Sequence, residues 1–397
     1  MSRPALKRLI GYGLGIPVLL VLLVVAAASL LLYHPDAPRW VLQQVREHSE
    51  LNLEVERHQG VLAGPLILEG VRLQGDFGRL EIGRLDLVWH PAALWQRKLH
   101  IASLGVSEIE LSLQPDVPED PPTPQTDFEG IELPLGLKID QLVLKGLWVE
   151  RPAQESQHID RLLLQAWSEG DRLLIDRLDL STPELALQAE GQLGFASPWA
   201  MALELSWRYQ HPELPQQAGQ GEISGDLQRL QVEQTLKGMI NGELLARLND
   251  LIENLNWEAS ARLQPNELGE WLTDFPLRVG GELRSRGDLK RIGLEADLAI
   301  ESPEYGEAAL TYRGGFADGR IEAERLRLET PLGSQLDLSG YYEPGAGSED
   351  GPEDGQARFD TSVTWRDLRW PLQGETPQVT SQEGRLTLSG IPSDYVY

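Results

Sequence analysis

Histidine is the side chain best able to move a proton or hold a metal near neutral pH, and this sequence spreads its seven singly, at His34, His48, His58, His90, His100, His158 and His211. A zinc-binding helix, a serine elbow, a phosphate loop or a metal-ligand cluster would each need a fixed local spacing, and none of these spacings occurs. The only close glycine triplet, Gly11, Gly13 and Gly15, falls at an aliphatic run rather than between a strand and a helix. Carboxylate pairs such as Asp350 and Glu353 are expected by chance in so acidic a chain, and they serve better to keep a β-rich surface soluble. The tryptophans Trp89, Trp148, Trp167, Trp207 and Trp365 fall inside alternating patterns, which makes them core or rim aromatics rather than a ligand platform. Catalysis, a bound metal and a cofactor are therefore not expected.

The remaining chemistry is hydrophobic contact. A formal net charge of -26 and a pI near 4.7 set the chain against nucleic acid and anionic surfaces, which would repel it as a whole. No cysteine is present, so disulfides and thiolate metal sites are excluded, in keeping with an extracytoplasmic bacterial protein as well as a cytosolic one.

Compartment is read from the N-terminus. Residues 14–32 carry no charge and include Leu14, Leu20, Leu23 and Leu32. At roughly 1.5 Å per residue a helix here is about 28 Å long, enough for a bilayer core. Arg3, Lys7 and Arg8 precede it and Asp36 follows, so residues 1–13 are expected in the cytoplasm and the rest across the membrane. Cleavage after a signal peptide near Ala26-Ala27-Ala28-Ser29 is the competing reading, disfavoured because Leu30, Leu31 and Leu32 prolong the apolar run. Asp36 and Pro38 then open a helix within residues 33–50 on the outer side of the membrane.

From Leu51 onward the periodicity is that of strands. A hexamer of the form aliphatic-x-x-aliphatic-x-aliphatic recurs: Leu68-x-x-Val71-x-Leu73, Ile82-x-x-Leu85-x-Leu87, Ile139-x-x-Leu142-x-Leu144, Ile159-x-x-Leu162-x-Leu164, Ile175-x-x-Leu178-x-Leu180, Leu227-x-x-Leu230-x-Val232, Leu289-x-x-Ile292-x-Leu294 and Ala323-x-x-Leu326-x-Leu328. The last pair shares a face; the first residue joins it only if the strand kinks at the spacers, where glycine or a charge often stands. Pro91 to Trp95 reads as a single helical turn, and further helix is expected at Gly242 to Glu253 and Asn266 to Leu272. Two stretches rich in proline, glycine and acid, 114–130 and 343–355, are expected to be loops that interrupt the repeats. Alternation still runs at Leu386 and Leu388, so the repeats of residues 51–397 are expected to continue beyond this chain.

Many strands with one apolar face each, and few helices to cover them, leave two arrangements. Either two sheets close as a sandwich or one sheet curls around an apolar groove. In the groove reading Leu85, Leu87, Leu142, Leu144, Leu162, Leu164, Leu178 and Leu180 line the interior, and a hydrocarbon chain, such as a lipid acyl chain, is the natural ligand.

Several segments resemble a known family. An N-terminal anchor, Gly60-Val61-Leu62-Ala63-Gly64-Pro65-Leu66, Ile82-x-x-Leu85-x-Leu87-Val88-Trp89-His90-Pro91-x-x-Leu94, and later Trp365-Arg366-Asp367-Leu368-Arg369-Trp370-Pro371-Leu372 with Gly384-Arg385-Leu386-Thr387-Leu388-Ser389-Gly390 are similar to the N-terminal part of the TamB translocation and assembly module family, relatives of the AsmA-like proteins. That resemblance implies a mostly β fold: a transmembrane helix, then an elongated curled β groove (a β-taco) with a few short helices. It further implies a single-pass protein of the bacterial inner membrane with its bulk in the periplasm. Such a protein carries phospholipid toward the outer membrane and works with a TamA-like outer-membrane β-barrel through a C-terminal region that has no counterpart here. A membrane-anchored scaffold for outer-membrane protein assembly that carries no lipid is the alternative, and an anchored enzyme is third.

Overall fold

A computed structural model describes residues 34, 36–38, 52–75, 78–113, 134–150, 156–269, 276–317, 319–344, 357–370, 377–391 and 394–396. The expected span 14–32 and the loop 114–130 lie outside these, as do most of the helix expected within 33–50 and most of the loop 343–355. Ala37 and Pro38 are helical, as expected of that helix's first turn. Among the described residues no helix is long and apolar enough to cross a membrane.

The described chain is almost entirely β and divides into two compact units, which meet in sequence at Pro183 and Glu184. The first unit holds β1 (Asn52–Gly60), β2 (Leu66–Gly75), β3 (Gly78–Trp89), β4 (Lys98–Leu113), β5 (Gly136–Glu150), β6 (Gln157–Glu169) and β7 (Arg172–Ser181). Neighbours in sequence pair throughout, antiparallel except for β4 and β5, which run parallel. In a parallel pair both strands start at the same end, so Gly136 lies beside Lys98 rather than beside Leu113. The expected helical turn is present as a 3-10 turn, Pro91–Gln96, where proline at the first position and the missing ladder partners favour it over strand.

Sequence expected kinks at the hexamer spacers, and the register has them. Val55 pairs with Val71 and Arg57 with Glu69, so Glu56 and Gly70 are passed over. The same omission falls at Gly70 and Gly83, Gly83 and Glu108, Glu108 and Gly146, and Gly146 and Asp160 in the next four pairings. These residues form one line across β1 to β6. Gly70, Glu108 and Gly146 take left-handed backbone there, with φ of 64°, 57° and 65°. A second line crosses β3 to β7 at Ala102, Asp140, Gln141 and Asp176. Passing over one residue restores the alternation, so Ile82 rejoins the face of Leu85. The buried side chains Val71 and Ile109 flank the first line, and Ile139, Ala166 and Ile175 the second, as expected where a bend brings both flanks together.

This makes Gly70 a sensitive position: its φ is unfavourable for side chains, and a Cβ there would lie 2.6 Å from the Glu56 side chain. Gly70→Val is expected to cost about 1–2 kcal/mol from left-handed strain, since the exposed Glu56 side chain can swing aside. A urea midpoint unchanged from that of the parent chain would show the line to be plastic.

The second unit holds β8 (Leu185–Gly194), β9 (Met201–His211), β10 (Leu214–Gly225), β11 (Arg229–Gly238), β12 (Gly242–Asn249), β13 (Asn256–Glu267), β14 (Arg278–Asp288), β15 (Arg291–Ser302), β16 (Gly306–Ala317), β17 (Arg320–Glu329), β18 (Gln335–Glu343), β19 (Arg358–Trp370), β20 (Val379–Ile391) and β21 (Asp394–Val396). Each pairs antiparallel with the next, a plain meander.

Two expectations are corrected here. Gly242 to Glu253 is not helix: Gly242–Asn249 is β12, and a turn follows. Leu244, Ala246 and Leu248 alternate onto one face opposite Ala261, Ala259 and Trp257, and only Leu245 with the turn residues Leu251 and Ile252 produced the helical spacing. Asn266 and Glu267 likewise end β13, and helix begins at Gly269, at the limit of the described residues. The hexamer copies at Leu227 and Leu289 also differ from the others, since both leucines lie in hairpin turns rather than strands. There Asp226 accepts from the amides of Gln228 and Arg229, and Asp288 from those of Lys290 and Arg291. These bonds hold the Asp288 carboxyl below its ordinary range.

Candidate functional site: a continuous apolar face

Residues directly opposite one another in neighbouring strands share a face of the sheet. Applied to the first unit, this rule links the expected lining residues into two parallel rows. One runs Leu66, Leu87, Leu104, Leu142, Leu164, Leu178; the other runs Leu68, Leu85, Val106, Leu144, Leu162, Leu180. All of the expected leucines from Leu85 to Leu180 fall in these rows, two residues apart on every strand. None of them is buried and none fully exposed; each is half-covered by its neighbours.

The opposite face is polar. Rows such as Glu69, Arg84, Ser107, Lys145, Arg161 and Ser181 occupy it. Arg84 reaches Asp86 at 2.8 Å and Glu69 at 3.7 Å, and Arg57 reaches Glu69 at 3.3 Å. The Arg84 hydrogen bond holds the Asp86 carboxyl below the usual carboxylate range. One row on this side also carries the apolar Ile67, Val143 and Leu163, the last of them buried between Val143 and Asp179.

The second unit repeats the two-faced design with a different packing device. Its apolar rows include Leu187, Trp207, Gly219 and Leu236, then Leu248, Trp257, Gly287 and Ile292, then Leu336, Trp365 and Gly384. In each of the three a tryptophan stands opposite a glycine of the next strand, and at Gly219 and Gly384 the indole occupies the space a Cβ would need. Each indole N–H is bonded nearby: Trp207 to Gln234 at 3.1 Å, Trp257 to Ser285 at 3.1 Å and Trp365 to Ser381 at 2.8 Å. A satisfied N–H leaves only apolar ring surface for further contact. Trp89 does the same in the first unit, donating to the Leu62 carbonyl at 2.6 Å and pinning the Gly60–Leu66 connection.

Concavities of about 710 and 510 Å³ occur in the second unit, on its polar face. Glu222, Glu233 and Arg284 line the larger, and Arg247, Arg286 and Arg313 the smaller. Their charge suits water rather than a hydrocarbon chain. Among the described residues no cluster of His, Asp and Glu could hold a metal ion. Two of the scattered histidines do meet: the rings of His90 and His100 are 4.6 Å apart, and His100 bonds Asp140 at 2.7 Å, which holds that carboxyl low. Trp148 stacks on His158 at 3.9 Å and is 46% exposed, a rim position rather than core.

Sequence reasoning missed Leu66 and Leu68 of β2, which extend both rows, and Leu104 and Val106 of β4, which make them continuous. The signal was there, because Ile101-x-x-Leu104-x-Val106 and Val106-x-x-Ile109-x-Leu111 are two further copies of the hexamer, overlapping in β4. The expected anchor residues Leu14, Leu20, Leu23 and Leu32 lie outside the described residues.

A family model described as TamB, N-terminal domain, matches residues 22–151 and 126–343. No curated protein and no solved structure matches the chain. The matched family is one of envelope-associated transport or assembly components without enzymatic activity.

Proposed function

Because the chain belongs to the TamB family through its N-terminal domain, we propose that it is an inner-membrane-anchored periplasmic conduit that moves phospholipid toward the outer membrane along its apolar sheet face. The observation that carries this reading is the unbroken pair of leucine-rich rows across β2 to β7, in which Leu66 and Val106 are buried but the leucines from Leu85 to Leu180 on β3, β5, β6 and β7 are half-covered rather than sealed. Side chains in a closed sandwich core would be almost fully buried; these retain surface for an acyl chain. Each methylene placed against such a face contributes roughly 0.8 kcal/mol, so part of one chain gives useful affinity. Movement along the face needs no specific headgroup contact, which suits a site without fixed charge. The span 14–32 supplies the anchor, and a TamA-like barrel is the partner expected at the outer membrane.

Photo-crosslinking amino acids at Leu144 and Leu164 are expected to capture phospholipid in cells. Positions Lys145 and Arg161, paired with each other on the polar face, are expected to capture none. Capture of protein alone at both leucines would replace the conduit with a scaffold that buries this face against a partner.

A further inference from the structure

The 3-10 turn Pro91–Gln96 presents Leu94 at 40% and Trp95 at 76% exposure, followed directly by the exposed Arg97 and Lys98. Exposed tryptophan beside leucine is costly in water unless something covers it. Here the pair is not on a loose tip. Ala93 donates to the His90 carbonyl at 3.0 Å, Arg97 to the Leu94 carbonyl at 2.9 Å, and Gly136 to the Arg97 carbonyl at 2.8 Å; His90 donates to the His100 carbonyl at 2.9 Å. The backbone of β3, β4 and β5 therefore holds the turn rigidly, at the strand ends away from Asn52 and Gly75.

Charge separates this turn from the rest of the molecule. The chain carries 61 acidic residues and a net charge of -26, yet no Asp or Glu occurs from Leu87 to Ser107, where Arg97, Lys98, His90 and His100 stand. Among the described residues, the nearest acids across the sheet are Asp140, engaged by His100 and Lys138, and Glu169 and Asp171 at the β6–β7 turn. Tryptophan and leucine backed by basic residues form the combination that settles in the headgroup region of an anionic bilayer. A protein surface complementary to the rest of this chain would be basic, and would be repelled by this turn.

We propose that Leu94 and Trp95 insert into the interfacial layer of an anionic phospholipid leaflet, with Arg97 and Lys98 binding its headgroup phosphates. This contact is separate from the expected N-terminal anchor, and it holds whether the apolar sheet face carries lipid or protein.

Because the chain has no cysteine, Gln96→Cys gives one labelling site beside the pair. The full-length chain, labelled there with an environment-sensitive fluorophore, is reconstituted into phosphatidylcholine vesicles with and without phosphatidylglycerol, all containing brominated lipid. The expected result is a blue-shifted probe quenched by bromolipid more strongly when phosphatidylglycerol is present. Each basic residue near such a surface contributes about fivefold to local partitioning, so Arg97→Glu with Lys98→Glu, which removes both charges and adds two repelled carboxylates, should lower insertion by at least about 25-fold and abolish the gain from phosphatidylglycerol. Leu94→Ser with Trp95→Ser should remove the blue shift while the circular dichroism stays β-rich. The same label at Leu289→Cys, 77% exposed on a hairpin of the second unit, should remain water-exposed. A Gln96 probe that stays in water in every vesicle, that is quenched equally after charge reversal, or that is already shielded in detergent by a second copy overturns the proposal. None of these results bears on capture at Leu144 and Leu164, so the two readings fail separately.

Discussion

Asn266→Leu is expected to unfasten the β11–β12 turn and to lower the stability of the second unit by about 2–5 kcal/mol, the cost of leaving buried polar groups without partners. Asn266 is 2% exposed, and its amide uses its full bonding capacity. Its Oδ1 accepts from the Asn241 backbone amide at 2.6 Å and from Asn241 Nδ2 at 2.9 Å; its Nδ2 donates to the carbonyls of Asn241 at 3.1 Å and Gln264 at 2.6 Å. Asn241 passes the network to Gly238 in both directions, and Gln217 secures the adjacent Ile240. Leucine fills the volume but satisfies none of these groups. Aspartate keeps the acceptor and loses both donations while burying a charge, so Asn266→Asp should fare no better. Hydrogen exchange at residues 238–242 is the direct measure, because it reports this turn even where the two units unfold separately. Protection there unchanged from the parent would mean the network carries no stability.

Leu164→Arg separates folding from transport. Leu164 stands between Leu142 and Leu178 in the first row and is half-covered. Were this face sealed by a second layer, arginine would bury an unpaired charge and the protein would fail to accumulate. On an open face the guanidinium reaches water over its own aliphatic stem, so the stability loss is expected to be modest, on the order of 1 kcal/mol. The charge nevertheless interrupts the hydrocarbon path at β6, between β5 and β7. The expected phenotype is near-normal accumulation and β-rich circular dichroism, with phospholipid capture lost at Leu144 and outer-membrane lipid delivery impaired. Unfolding of Leu164→Arg, or unchanged delivery, would end the conduit reading.

Much of this was legible in the sequence because strand alternation and a kink at a fixed offset are both local properties. Ile82-Gly83-Arg84-Leu85 announces its bend through its own glycine, and the leucine pairs announce their shared face. Register is not local. Nothing near Leu142 says that it will stand between Leu104 and Leu164, and the parallel alignment of β4 with β5 has no signature in either strand. Leu244 to Ile252 misled for a related reason: helical spacing across a strand and its following turn is resolved only by the two strands that flank it. The buried Asn266 was equally hidden, since its partner Asn241 lies across a strand pairing rather than nearby in sequence.

The parallel pair also bears on how the chain reaches this state. Throughout the second unit every strand pairs antiparallel with its immediate successor, so each connection is shorter than the one between β4 and β5 and a newly formed hairpin offers an edge to the next segment as it emerges. Strands β1 to β4 and β5 to β7 can assemble in the same way. Between them, β5 pairs in parallel with β4, so Gly136 must find Lys98 at the far end of a strand of 16 residues, about 50 Å from Leu113 at roughly 3.3 Å per residue. That search has the largest loop-closure entropy in the first unit and makes β4–β5 docking its slowest step. Until docking occurs, the apolar edges of β4 and β5 are open to wrong partners, which places the chain's greatest exposure to aggregation early in synthesis rather than in its long C-terminal meander.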